Sequence, residues 1–147
     1  MSHVILAGTF QSAPTSMEIP CAEVMVRAGI AGFASPAEDY AATSLDMNER
    51  YIKHPAATFI FRVQGDSMEE YRIFEGDHLI VDRSVTPRPG HVVVALVEGE
   101  LTVKKWLERG NRQLLCSGGN RYPPISMTDV EVQIWGVVRS GHVEFQI

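Results

Sequence analysis

Thr58-Phe59-Ile60-Phe61-Arg62-Val63-Gln64-Gly65-Asp66-Ser67-Met68 opens as an apolar run rich in aromatic and β-branched residues and breaks at a glycine-aspartate step. The run reads as a strand and the break as the loop leaving it, with a second turn at Phe74-Glu75-Gly76-Asp77. A serine placed where a strand gives way to a loop projects its hydroxyl while neighbouring backbone N–H groups stay unpaired. A nucleophile beside an oxyanion hole needs that combination, and the N–H groups of Asp66 and Ser67 are the candidate donors. Gly-Asp-Ser is also an ordinary turn sequence, because glycine tolerates unusual dihedrals and Asp and Ser bond to nearby backbone.

Outward from this stretch, everything after His54-Pro55 has β character. Short runs at 58–63, 78–82, 91–97, 100–107, 113–116, 132–138 and 143–147 are separated by turn residues such as Pro89-Gly90 and Glu98-Gly99. This spacing predicts a mostly β, compact antiparallel sheet assembly with one edge able to accept an extended peptide. Ser35-Pro36-Ala37-Glu38 has the form of a capping box with proline at the first helical position, so a short helix should begin there. A further helical turn or two is expected over 45–52, starting from Ser44. Residues 1–31 lack sustained periodicity and are punctuated by Gly8, Pro14 and Pro20, which predicts an extended N-terminal arm with a short strand near 23–27.

Glu100-Leu101-Thr102-Val103-Lys104-Lys105-Trp106 supplies the candidate partner for the serine. A serine hydroxyl is a weak nucleophile near neutrality, and an amine serves as its base only when unprotonated. Burial in apolar surroundings lowers a lysine pKa, and serine-lysine pairs are a variant of the serine-histidine arrangement. Neighbouring side chains on a strand point to opposite faces, so one of the two lysines faces inward. Lys105 shares its face with Leu101, Val103 and Leu107, whereas Lys104 shares its face with Thr102 and Trp106, so alternation leans towards Lys105. Both lysines as exposed strand charges is the structural alternative. A Ser-His-Asp arrangement is the chemical competitor, but His3, His54, His78, His91 and His142 have no companion motif and read as surface or structural residues. Asp66 and Asp82 fit turn and strand-end roles, and Met68 a core or cleft-lining one.

Several separated segments carry a resemblance. Gly65-Asp66-Ser67-Met68, Glu75-Gly76-Asp77-His78-Leu79-Ile80-Val81-Asp82 and Glu100-Leu101-Thr102-Val103-Lys104-Lys105 are similar to the catalytic domain of LexA-type self-cleaving serine-lysine peptidases. More narrowly they resemble the UmuD/MucA-type SOS mutagenesis proteins. Ala31-Gly32-Phe33-Ala34-Ser35-Pro36-Ala37-Glu38-Asp39-Tyr40 resembles the cleavage region of that group, and Asn120-Arg121-Tyr122-Pro123-Pro124-Ile125 and Ile134-Trp135-Gly136-Val137-Val138 resemble two downstream segments. The likeness spans roughly residues 31–138, and the intervals of 36 residues from Ala31 to Ser67 and 37 from Ser67 to Lys104 agree with the family's arrangement. Departures are Ala34 where the family usually has proline, Met68-Glu69-Glu70-Tyr71-Arg72 in place of a glycine-containing loop, and a poor match over the first thirty residues.

The resemblance implies a LexA/signal-peptidase-like fold with Ser67 as nucleophile and Lys104, rather than Lys105, as general base. It implies that the Ala31-Gly32 bond is cut, removing an arm of residues 1–31 from a catalytic and dimerisation domain of residues 32–147. A small residue before that bond suits a narrow pocket, and glycine after it allows close approach. The implied partners are a second copy in a homodimer, a RecA nucleoprotein filament that stimulates cleavage, and a UmuC-like Y-family polymerase in translesion synthesis.

Composition sets bounds on these expectations. The chain has 147 residues, 45% hydrophobic, with 13 Lys and Arg against 18 Asp and Glu for a net charge of −5. That length suits one core. The charge and the lack of a basic cluster argue against direct nucleic-acid binding. The residues ahead of Gly32 are too few for a helix-turn-helix domain and linker. Cys21 and Cys116 lack metal-ligand spacing, so no metal, cofactor or disulfide framework is expected. The N-terminus does not read as a signal peptide and no window approaches membrane-spanning length, which predicts a cytoplasmic protein and sets it apart from membrane-anchored signal peptidases. Two other readings stay open: a regulatory binding module that has the fold without cleaving, and a truncated phage-type repressor or antirepressor acting by mixed dimerisation.

Overall fold

A computed structural model describes residues 2–9, 18–22 and 42–147. The chain divides into two compact units, Met1–Ala13 with His54–Ile147, and Pro14–Lys53. The first holds β1 (His3–Thr9), β4 (Thr58–Gln64), β5 (His78–Asp82), β6 (Val92–Val97), β7 (Glu100–Arg109), β8 (Arg112–Cys116), β9 (Ile125–Ser126) and β10 (Val132–His142). The second holds β2 (Glu18–Ala22), β3 (Ala42–Asp46) and the short helix α1 (Met47–Tyr51).

All strand pairs in the larger unit are antiparallel, in the order β1-β4-β5-β10-β6-β7-β8-β9. β1 also pairs with β7, His3 opposite Thr102, so six strands close on themselves and β8 and β9 continue beyond β7. Closure covers β1 and β7 against each other where they pair, and β9 is left as the outer edge of the sheet. The interior is filled by inward-facing residues of the closed strands, among them Phe61 and Val63 of β4, Leu79 and Val81 of β5, Val94 of β6 and Val103 of β7, with Met68 from the loop after β4. A second cluster, Val93, Ala95, Val97, Leu115 and Val137, covers the other face of β6. A strand apolar on both faces is therefore packed on both, and each fully buried side chain of this size contributes roughly 1.5–3 kcal/mol. Trp135 stands edge-on to Phe59 and Phe61, centroids 4.9 and 5.0 Å away, with the Arg83 guanidinium 4.4 Å over its ring.

A buried carboxylate ties the end of β5 to the segment before β4 and to β10. Asp82, at the end of β5, accepts 2.7 Å bonds from His54 Nδ1 and Arg139 Nε and further bonds from the Ser84 N–H and hydroxyl. Burial pushes its pKa up, but the Ser84, His54 and Arg139 bonds outweigh that and hold it well below the usual carboxylate range.

The mostly β antiparallel class holds, and the β runs predicted over 58–116 fall on β4 to β8. Three details differ. The first residues, expected as arm, include β1, whose Val4 is buried in the core. Only that one side chain of the strand is buried, which is why no periodicity marks it. The run at 143–147 forms no strand: β10 carries the sheet to His142, and Val143, Phe145 and Ile147 are exposed. In the smaller unit the helix starts later than Ser44, because Asp46 caps it by accepting from the N–H groups of Asn48 and Glu49 at 2.8 and 3.3 Å, while Ala42–Asp46 pairs with Glu18–Ala22. The expected strand near 23–27 and helix from Ser35 lie outside the described residues.

Candidate active site

Gly65 ends β4 with φ at +90°, a conformation that suits glycine, and turns the chain so that Ser67 points inward. Met68, fully buried, anchors the loop in the core, and a single 3-10 turn over Glu69–Tyr71 follows, its Tyr71 N–H donating to the Met68 carbonyl at 3.0 Å. Ser67 is 1% exposed.

β7 delivers the lysine. In register opposite Val93, Lys104 is also 1% exposed, and its Nζ lies 3.2 Å from Ser67 Oγ. The same Nζ donates to Ser117 Oγ at 2.8 Å. Burial lowers the Lys104 pKa from 10.5 to about 8, against the opposing pull of Cys116. Alternation misjudged the pair: Thr102, Val103 and Lys104 are all buried, and Lys105 is only partly covered, its ammonium 5.9 Å from the Tyr71 ring. The face of Thr102 and Lys104 is closed by the Ser67 loop, the end of β8 and Ser2, contributions no strand periodicity records.

Ser2 was not among the residues singled out in the sequence, yet it makes the densest contacts at the site. It is fully buried. Its N–H donates to Ser67 Oγ at 2.7 Å, and its own Oγ accepts the Ser67 N–H at 2.8 Å. Its carbonyl accepts from Thr102 Oγ1 at 2.5 Å and the Val103 N–H at 3.3 Å. Of the two expected oxyanion donors, the Ser67 N–H is thus the one seen engaging an oxygen.

The loop after β8 braces the opposite side. Gly118 N–H donates to the Ser67 carbonyl at 2.8 Å, Tyr122 OH donates to Asp66 Oδ1 at 2.7 Å, and Arg121 Nη2 lies 3.0 Å from Asp66 Oδ2. The Tyr122 hydrogen bond is the main reason the Asp66 pKa lies below its ordinary value, and that same bond raises the Tyr122 pKa. The sequence carried no signal for Ser117 or Thr102 beyond their neighbourhood to recognised motifs. A nearby surface groove of about 240 Å³, lined by Tyr71, Ile73, Leu79, Val92, Val138 and Val143 among others, includes neither Ser67 nor Lys104.

Among the described residues, no three His, Cys, Asp or Glu side chains are grouped to hold a metal ion, and no helix is long and apolar enough to cross a membrane. The expected cleavage pair Ala31 and Gly32 lies outside the described residues.

Comparison with known proteins agrees with this architecture. Residues 23–139 match the family model described as Peptidase S24-like. The chain is 42% identical over 120 residues to Protein MucA of Salmonella typhimurium, covering 80% of this chain and 81% of that one. It is 44% identical over 108 residues to Protein SamA of Salmonella typhimurium strain LT2, covering 74% and 75%. It is 41% identical over 93 residues to the LexA repressor of Shewanella piezotolerans, covering 59% and 45%. With a family model spanning most of its length and relatives this similar over most of theirs, the chain belongs to the Peptidase S24-like family.

Proposed function

We propose that the protein is a serine peptidase that cuts its own chain between Ala31 and Gly32, with Ser67 as nucleophile and Lys104 as general base. The observation that carries this is the 3.2 Å approach of a buried lysine amine to a buried serine hydroxyl. In the neutral amine the N–H directed at Ser117 leaves the lone pair free to face Ser67. Lys104 takes the Ser67 proton as Oγ bonds to the Ala31 carbonyl carbon, and the oxyanion settles against the N–H groups of Ser67 and Asp66. The intermediate collapses, the Ala31–Gly32 C–N bond breaks, and the lysine ammonium gives its proton to the departing Gly32 amine. Water, deprotonated by Lys104, then hydrolyses the acyl ester and restores both side chains. Because peptide and site share a chain or a dimer, no affinity for a free substrate is needed.

The resemblance to UmuD/MucA-type proteins extends the proposal. A RecA nucleoprotein filament would favour the conformation in which the arm is docked for cleavage. The product, residues 32–147, would act as a homodimer with a UmuC-like Y-family polymerase in SOS-induced translesion synthesis.

Purified protein incubated at alkaline pH should slowly yield a fragment beginning at Gly32, read by intact-mass spectrometry. Ser67→Ala and Lys104→Ala should each abolish it while circular dichroism stays unchanged. Fragment formation that persists in either folded variant overturns the assignment.

A further inference from the structure

Ser2 sits at the nucleophile in the manner of a substrate. A peptide bond poised for attack presents a carbonyl oxygen to the oxyanion donors and extended backbone to the flanking strand. Ser2 offers its Oγ to the Ser67 N–H at 2.8 Å, where that oxygen belongs, and its backbone pairs with β7 through Thr102 and Val103. It also donates its N–H to Ser67 Oγ at 2.7 Å, engaging one of that oxygen's lone pairs and making it less nucleophilic. What Ser2 does not present is a carbonyl carbon to the serine: its C=O is turned away onto the Thr102 hydroxyl. The contact is therefore substrate-like in its hydrogen bonds and inert in its chemistry.

We propose that Ser2 is a built-in competitor for the peptide site of Ser67, seated in a backbone-binding cleft formed by the Ser67 N–H, the Thr102 hydroxyl and the Val103 N–H, and that the cleavage segment enters only when residue 2 leaves. This rests on the self-cleavage reading above and adds a regulation to it. The cleft takes extended backbone carrying a small side chain, since Ser2 fills its place with no exposure. Ser2 itself is held by its hydrogen bonds, but the strand that carries it is lightly anchored by side chains. β1 contributes one buried apolar side chain, Val4, whereas Ile5 and Leu6 are 43% and 49% exposed, so the strand's grip is mainly its backbone ladder to β4. Withdrawal of Ser2 and His3 breaks the pairing to β7 at its single register position and leaves the β4 pairing from Val4 onward in place.

Two substitutions separate competition from a merely structural contact. Ser2→Leu is too large for a fully enclosed position and ejects the residue, and Ser2→Gly keeps the backbone while removing the oxygen on the Ser67 N–H. Two readouts are followed: the Gly32 fragment, and labelling of Ser67 by an organophosphonate that esterifies activated serines, with Ser67→Ala as blank. Cleavage and labelling should both rise, about tenfold or more in Ser2→Leu and a few-fold in Ser2→Gly. Folded variants labelled no faster than the parent protein overturn the inference, and Ser2→Gly decides the matter if Ser2→Leu fails to fold. Faster labelling without a Gly32 fragment in any form leaves the competitor in place and overturns self-cleavage instead.

Discussion

An amine accepts a proton only along its lone pair, and at Lys104 two hydroxyls decide where that lone pair points. Ser117, 2.8 Å away, takes an N–H, and Ser67, at 3.2 Å, is left to face the nitrogen. With the Lys104 pKa lowered to about 8, the free-amine fraction falls about tenfold for each pH unit below that value and saturates above it. Self-cleavage in the absence of any activator should follow that curve, rising with slope near one in log rate up to about pH 8 and levelling beyond. A rate independent of pH between 6 and 9 would contradict a lysine base. Ser117→Ala removes an acceptor that favours the charged amine and orients the neutral one. The plateau rate should therefore drop about tenfold and the midpoint move down rather than up, with Ser117→Thr restoring both. An unchanged profile would make Ser117 a bystander. None of this chemistry was visible at positions 2 and 117 in the sequence, because serines whose partners lie 65 to 100 residues away, or 13 residues away across a hairpin, leave no local pattern.

Strands were more legible than single residues. Apolar runs, β-branched or aromatic in β4 to β7 and leucine in β8, marked these strands, since each presents a face to at least one of two cores and the turns between them carry glycine or proline. Legibility failed where burial came from something other than a neighbouring strand, as at Lys104, and where an element is held by its ladder instead of its side chains, as in β1. β10 shows a further limit. The β-rich run at 132–138 marked only its first part, whereas the strand continues to His142 across shifts in register between Ile134 and Gly136 and between Val138 and Ser140. At the first of these, a Cβ on Gly136 would lie 2.7 Å from Val81 Cγ1, inside a fully buried part of β5. Gly136→Ala must push β10 off β5, and a loss of about 1–3 kcal/mol is expected in denaturant unfolding. An alanine tolerated within a few tenths of a kcal/mol would mean that the two strands are not packed this closely.

For the molecule as a whole, the lysine that suits the chemistry works against the fold. Lys104 titrates at about 8 where it is buried, against 10.5 for an ordinary lysine, so the folded state binds fewer protons than the unfolded one between those values. Stability therefore rises as pH climbs from about 8 to about 10.5, and below 8 the full penalty applies, about 3 kcal/mol for a shift of this size. The hydrogen bonds to Ser67 and Ser117 offset part of it. Lys104→Met keeps the length of the side chain and removes the charge, leaving the Ser117 hydroxyl without its amine partner. In a Ser67→Ala background, chosen so that no chain is lost to cleavage, Lys104→Met should stabilise the protein by about 1–3 kcal/mol at pH 7, with the gain shrinking towards zero near pH 10.5. Urea unfolding at the two pH values reads both terms. A variant destabilised at pH 7, or a gain that does not change with pH, would mean that the amine is not held dehydrated in the folded protein, and the case for its acting as a base near neutral pH would fall with it.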